Sequence, residues 1–211
     1  MRAELHESRC RKAVWGARVS LVVLGAVVAT SCGDLTREGQ SPAYLVITSL
    51  EGSSGTKGTF GAVLQSDVLN VDPTTKAQSI AADAGQVSLQ LALKDPGPST
   101  SPNTPTPNNF ITITQYHVEY VRSDGRNVQG VDVPFAFDSG VTATVAGAAT
   151  IGFTLVRIQA KQEAPLQALA FGGGANTIST IARVTFYGHD QTGREVSVTG
   201  NIEVDFSDWA G

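Results

Sequence analysis

The stretch 194–206, REVSVTGNIEVDF, decides the fold class of this chain. Its nonpolar residues fall on every second position: Val196, Val198, Gly200, Ile202, Val204 and Phe206. The positions between them, from Ser197 to Asp205, are polar or charged. A period of two is typical of a strand with one face on a core and the other in solvent. We therefore predict a half-buried β-strand here.

Similar patterns recur along the chain. Residues 86–94 alternate without a fault, whereas the apolar phase of 110–122 slips near Thr114 and Gln115, as a β-bulge would make it do. Other strand-like segments are 43–50, 60–71, 128–137, 141–145, 149–160 and 178–188. Glycine-containing turns at 123–127 and 190–193 predict two hairpins, the first leading into 128–137 and the second joining the last two strands.

Helix is scarce, since the best candidate, 160–170, is interrupted by Pro165. Seven to nine short strands predict an all-β fold, an antiparallel sandwich with little helix. The closing pair, 182–188 and 195–206, resembles the last two strands of bacterial immunoglobulin-like and fibronectin type III-like modules. That resemblance implies an immunoglobulin-like β-sandwich, which we expect to form a single domain over 43–211.

The first 31 residues have the layout of an export signal. Basic residues precede an apolar run at 19–29, which is shorter than the roughly 20 residues that a spanning helix needs. The sequence Ala29-Thr30-Ser31-Cys32-Gly33 then resembles the lipobox of bacterial lipoproteins. The resemblance implies cleavage before Cys32, acylation of its thiol and anchoring in a lipid bilayer. The alternative is an ordinary secretory signal cleaved after Ala29.

The mature chain would consist of Cys32, a flexible tether up to residue 42 and the domain. Cys10 lies in the segment to be removed, so no internal disulfide is expected. From residue 32 onward the chain has 10 basic and 17 acidic side chains, a net charge of −7. This balance argues against nucleic acid as a partner. Because Gly33 and not aspartate follows the cysteine, we expect the cell envelope, at an outer membrane if there is one.

One segment between two predicted strands has no strand-like pattern. Residues 95–109 contain five prolines among Ser, Thr and Asn, a composition that stays extended and solvated. We interpret this Pro-rich loop as a surface connection between two strands. A ligand-facing loop or a site of sugar attachment is the alternative.

No residue pattern predicts catalysis or a cofactor. His117 and His189 are far apart in sequence, and Asp190 is explained by turn chemistry. Gly52-Ser53-Ser54-Gly55 lacks the nucleophile-elbow spacing, and the glycines at 172–174 do not continue as a phosphate loop.

Carboxylates provide the remaining candidates. Five aspartates near predicted strand ends are conceivable calcium ligands if they converge: Asp67, Asp72, Asp124, Asp132 and Asp138. Three glutamates, Glu119, Glu163 and Glu203, could supply the paired acids of glycoside hydrolysis, but Glu119 and Glu203 fall on outward phases of their strands. Trp209 is expected to pack along the final strand rather than to form a sugar-stacking platform.

The sequence thus predicts a non-enzymatic envelope lipoprotein that acts as a binding, adhesion or structural accessory module. Two alternatives stay open. The chain could be a subunit of a larger envelope complex that pairs through a strand edge or through the irregular stretch 60–84. It could also be a secreted enzyme with a site on its loops.

Overall fold

The computed structural model describes residues 40–55, 58–72, 74–172 and 174–209. The predictions for the export signal and for Cys32 lie outside these residues. The strands are β1 (Ala43–Ser53), β2 (Val63–Asp67), β3 (Asn70–Val71), β4 (Gln78–Ser79), β5 (Asp83–Leu93), β6 (Ile111–Val121), β7 (Phe137–Val145), β8 (Ala148–Val156), β9 (Ile178–Asp190) and β10 (Glu195–Ser207). A short helix, α1 (Ile158–Gln162), and 3-10 turns at Pro107–Asn109 and Leu166–Leu169 complete the described elements.

The strands form two facing sheets and a small ribbon. One sheet has the order β1-β5-β8 and the other the order β2-β10-β9-β6-β7, while β3 pairs with β4. The pairings are antiparallel except that of β2 with β10, which is parallel. Gly200 of β10 lies against Ile47 and Leu50 of β1, which brings the two sheets together. The prediction of an all-β sandwich is confirmed.

The core between the sheets explains the alternation seen in the sequence. Val204 and Phe206 of β10 are fully buried, as are Val87 and Leu89 of β5. Aromatic rings fill the centre, with the Tyr116 and Phe186 rings each 5.3 Å from that of Phe153 in edge-to-face contact. Both half-buried strands predicted from period-two patterns are therefore confirmed.

The predicted β-bulge in β6 is also present. The register of β6 shifts between Ile113 and Gln115 against both of its neighbours, β7 and β9. Thr114 and Gln115 are consecutive residues, and both are exposed. A bulge in a strand that is paired on both sides re-aims side chains in the middle of a sheet.

The predicted strand 128–137 is wrong. Residues 122–136 form a loop with a single bridge between Gln129 and Val133, and β7 begins only at Phe137. Local hydrogen bonds take the place of pairing with another strand. The Asp132 carboxylate accepts the Val128 N–H at 3.1 Å, and Gly130 has a φ of +76°. The turn at 123–127 ends β6 but leads into this loop, so the first predicted hairpin is wrong as well.

Other predicted elements differ less from the structure. The turn at 190–193 joins β9 to β10 as predicted. The segment 160–170 holds only α1 and a 3-10 turn on either side of Pro165, as the proline indicated. The Pro-rich loop is an exposed connection between β5 and β6 without a strand.

Two ends of the sandwich can be distinguished. The chain begins β1 beside the end of β5, since Ala43 pairs with Leu93 and the Lys94 N–H donates to the Pro42 carbonyl. This tether end comprises residues 41–43, the connection 94–110 and the turns 146–147 and 191–194. The far end comprises 122–136, 157–172 and 208–209. Within the described residues, no helix has the length and hydropathy to cross a membrane.

Candidate binding groove and buried polar cluster

The outer face of the five-stranded sheet is polar. Cross-strand side-chain pairs tie much of it together: Thr112 with Thr144 at 2.9 Å, Thr185 with Thr199 at 2.9 Å, His117 Nδ1 with Asp138 Oδ1 at 2.9 Å, and Arg183 with Glu119 at 3.4 Å. Such pairs satisfy one another and stabilise the sheet by a few tenths of a kcal/mol to about 1 kcal/mol each. These rows of paired side chains across the sheet therefore offer few unused polar groups to a ligand.

A groove of about 780 Å³ opens on this face near the tether end. Tyr187 of β9 lies in its middle and is 41% exposed. The register places Gln115 of β6 on one side of Tyr187 and Ser197 of β10 on the other. Glu195 and His189, which pair with each other, form the next row.

The polar groups of the groove differ from the paired rows around them. Tyr187, Thr114, Glu195 and Ser197 make no side-chain hydrogen bond within the described part of the chain. The Gln115 amide reaches only Asp138, at 3.3 Å. The groove thus combines an exposed ring with hydrogen-bonding groups that solvent or a ligand can occupy.

The bulge and a glycine shape this groove. The bulge turns both Thr114 and Gln115 to solvent, so two consecutive residues of β6 line it. Gly188 lies beneath, where a Cβ would overlap the Thr112 carbonyl oxygen and approach the Ile113 Cα at 2.9 Å. Only glycine permits this close approach of β9 to the bulged strand.

Asp190 fixes the hairpin that carries Glu195. Its buried carboxylate accepts hydrogen bonds from the Thr192 N–H at 2.9 Å, the Thr192 hydroxyl at 2.6 Å and the Arg194 N–H at 3.0 Å. Burial alone would raise the pKa of Asp190, but the hydrogen bonds from Thr192 and Arg194 oppose it, and the pKa lies below its usual value. The assignment of Asp190 to turn chemistry is confirmed.

The two histidines have structural partners. His117 is half-buried on the outer face beside Asp138, and His189 Nδ1 lies 3.0 Å from the Asp190 carbonyl oxygen. They belong to different strands, and the structure does not bring them together around a common point. Among the described residues, no three or more His, Cys, Asp and Glu side chains form a group fit for a metal ion.

The aspartates considered for calcium do not converge either. Asp72 accepts the Thr74 and Thr75 N–H groups of its own turn, and hydrogen bonds from Arg122 and Arg126 hold the pKa of Asp124 well below its usual value. The Asp132 carboxylate accepts the Val128 N–H, and the Asp138 carboxylate contacts His117. Asp67 lies apart from these, at the end of β2.

The three glutamates do not oppose one another. Glu119 pairs with Arg183, and β9 separates it from the exposed Glu203 on β10. Glu163 follows α1 at the far end. Trp209 lies beyond β10 and is 40% exposed. Its backbone N–H donates to the Asp67 carboxylate at 3.2 Å.

A buried polar cluster lies at the far end of the sandwich. Lys161 of α1, only 2% exposed, donates to the Asp83 carboxylate and to the Asp67 carbonyl oxygen, each at 2.8 Å. Asp83 also accepts the Ser66 hydroxyl at 2.6 Å and the Gly55 N–H at 3.0 Å. The cluster therefore ties α1 to β2 and β5, one strand from each sheet.

This cluster cannot act on a substrate. Ser66, Asp83 and Lys161 have exposed fractions of 2% or less, so no reactant reaches the serine hydroxyl or the ammonium group. Each of the three side chains makes at least one hydrogen bond within the protein. A buried ion pair of this kind, bonded to strands of both sheets, holds elements in place.

Sequence reasoning missed both features in part. Lys161 and Asp83 are distant in sequence and neither breaks a visible pattern, so their pairing gave no signal. For Tyr187 the available signal is its position one residue after Phe186, which puts it on the opposite face of the strand. The bulge near Thr114 and Gln115 was the one local sign of the groove.

Scanned against models of known protein families and against curated protein sequences, the chain matches none of them.

Proposed function

We propose that this chain is a bacterial envelope lipoprotein whose β-sandwich acts as a non-enzymatic binding module. The observation that carries the proposal is the apolar run 19–29, which ends in Ala29 and is followed at once by Thr30-Ser31-Cys32. Acylated Cys32 would anchor the chain in a bilayer, and the sandwich would present its surface to the envelope. We place it at the outer membrane because Gly33 follows the cysteine.

An anchor at Cys32 would join the domain at the tether end. The first described residues, Gln40 and Ser41, lead into β1 at the tether end, where the groove also opens. A tether of about ten residues reaches at most ~35 Å when fully extended. A ligand in the groove would therefore be held close to the membrane surface.

A binding role is favoured over catalysis by the chemistry of the groove. Its described lining holds one carboxylate, Glu195, with hydroxyl, amide and imidazole groups. Glycoside hydrolysis needs two opposed carboxyl groups, and nucleophilic catalysis needs a nucleophile within hydrogen-bond reach of a base. The groove's groups suit recognition of a ligand instead.

The anchor is tested by acylation of Cys32. Cells that express the full chain are fed an alkyne-tagged palmitate, and the mature N-terminal peptide is analysed by mass spectrometry. We expect a diacylated or triacylated Cys32 at the N-terminus, with no label in Cys32→Ser. The matched control is Cys10→Ser, which should be labelled like the wild type because Cys10 lies in the removed segment. An unlabelled N-terminus at Thr30, with release into the medium, contradicts the proposal.

A second candidate is a subunit that pairs through a strand edge. β1 is an eleven-residue edge strand whose free side, within the described residues, makes only the bridge between Gly52 and Gly61. Tyr44 and Val46 on this strand are 44% and 40% exposed. Long edges of this kind invite pairing with another chain, and lysine blocks it. Cross-linking in cells that is lost in Val46→Lys would favour this candidate.

A further inference from the structure

We propose that the groove around Tyr187 binds a neutral saccharide. The inference deepens the proposed function and rests on it, because it names the ligand class of the binding module. The groove is defined by Thr114, Gln115, Tyr187, His189, Glu195 and Ser197.

The lining matches the two kinds of surface that a sugar ring presents. A pyranose has a weakly polar face of C–H groups and a rim of hydroxyls that both donate and accept hydrogen bonds. Tyr187 offers an exposed ring for the face, with a polar hydroxyl at its tip. Gln115 and Ser197, directly beside it in the register, offer an amide and a hydroxyl for the rim.

The charge of the groove selects against anionic ligands. Its described lining contains Glu195 and no lysine or arginine. A phosphate or sulfate would meet the Glu195 carboxylate without a cation to balance it, and the chain beyond residue 31 is itself acidic. A sugar hydroxyl can instead donate to this carboxylate in a charge-assisted hydrogen bond.

The groups in the groove are available to a ligand. Thr114, Tyr187, Glu195 and Ser197 have no side-chain partner among the described residues, while neighbouring rows are paired. Neighbouring strands lie about 4.8 Å apart and alternate residues along a strand about 6.6 to 7 Å apart. Three strands and two rows therefore present a grid of polar groups around one ring.

A smaller groove on the same face provides an internal control. It has a volume of about 330 Å³, lies towards the far end and is lined by Ile181, Asn201 and Glu203, among others. No aromatic ring is among the described residues that line it. Asn201→Ala should therefore leave saccharide binding unchanged.

The test is titration calorimetry on the full-length protein in a detergent without a sugar headgroup, because glucoside or maltoside micelles would compete. The probes are hexasaccharides of cellulose, amylose and chitin, with a hexasaccharide of polygalacturonate as the anionic comparison. We expect at least one neutral probe to bind with a Kd of roughly 10 μM to 1 mM. Tyr187→Ala should weaken that binding about tenfold or more, and Gln115→Ala by a smaller factor.

Several outcomes overturn the inference. These are no binding of any neutral probe at millimolar concentration, binding of the anionic probe alone, and binding that Tyr187→Ala leaves unchanged. Acylation of Cys32 is measured separately, so an acylated protein without saccharide affinity refutes the ligand class and leaves the anchor standing. An unacylated protein that binds sugar in the groove refutes the anchor alone.

Discussion

The buried cluster around Lys161 and the open groove around Tyr187 use polar side chains in opposite ways. In the cluster, every polar group is paired and shielded from water, so the loss of one leaves another buried without compensation. In the groove, the polar groups face solvent and several lack partners among the described residues. Polarity in the buried cluster thus holds strands of the two sheets together, whereas polarity in the groove is available for binding.

The largest effect is expected from breaking the cluster. Lys161→Met leaves the Asp83 charge buried, so the free energy of unfolding in urea should fall by about 3–5 kcal/mol. The matched control is Arg126→Met, which removes an exposed partner of Asp124 and should change little. A loss in Lys161→Met no larger than in the control would contradict the structural role of the cluster.

A double variant sharpens this test. Lys161→Met with Asp83→Leu removes both charges, which often restores stability when a buried pair is replaced by apolar residues. Here it should restore only part, because the Ser66 hydroxyl and the Gly55 N–H also lose their acceptor. Full recovery would mean that these two bonds contribute nothing.

The second largest loss of stability is expected from a substitution at Gly188, beneath the groove. Gly188→Ala places a methyl group against the backbone of Thr112 and Ile113, which cannot move aside without distorting the bulge. We expect the free energy of unfolding to fall by about 1–3 kcal/mol. Gly152→Ala on β8 is the control, because a Cβ there meets nothing within 4 Å. Equal stability of the two variants would show that the bulge has room for a side chain.

A smaller effect is expected at Asp190 and should depend on pH. The folded-state pKa of Asp190 lies below its unfolded value, so its contribution to stability is present at neutral pH and is lost as pH falls through the folded pKa. Asp190→Asn should therefore be less stable than the wild type at pH 7, and the difference should shrink when unfolding is measured in increasingly acidic buffer.

Asp67 should show the opposite dependence of stability on pH. Burial and the charge of Asp208 raise the pKa of the Asp67 carboxyl, so its ionised form lowers stability at neutral pH. Asp67→Asn should gain stability relative to the wild type as pH rises from acid to neutral. The same pH slope in both variants would contradict the two assignments.

The smallest effect is expected at the centre of the groove. Tyr187→Ala removes an exposed side chain without hydrogen-bond partners among the described residues, and the free energy of unfolding should change by no more than about 0.5 kcal/mol. A loss of several kcal/mol would place Tyr187 with the cluster as a residue needed for folding. Urea unfolding of this variant also verifies that the saccharide test is made on folded protein.

Local sequence patterns predicted much of the fold and little of the groove. The alternation in 86–94 and 194–206 gave two strands and their buried faces, and the phase slip near Thr114 gave the bulge. The prediction failed at 128–137, a strand-like segment in which Gly130 and Asp132 close a local turn. Short-range hydrogen bonds there take the place of the cross-strand pairing expected of a strand.

The sequence by itself determined the half-buried strands, the hairpin at Asp190 and the Pro-rich connection, because each depends on residues that are neighbours in the chain. It also contains the segment around Cys32 that resembles a lipobox, and acylation of Cys32 stays a prediction. Only the tertiary structure decided that Lys161 meets Asp83, and that Gln115 lies beside Tyr187. These pairings join residues about 70 to 80 positions apart, and the strand order that sets them has no local signature.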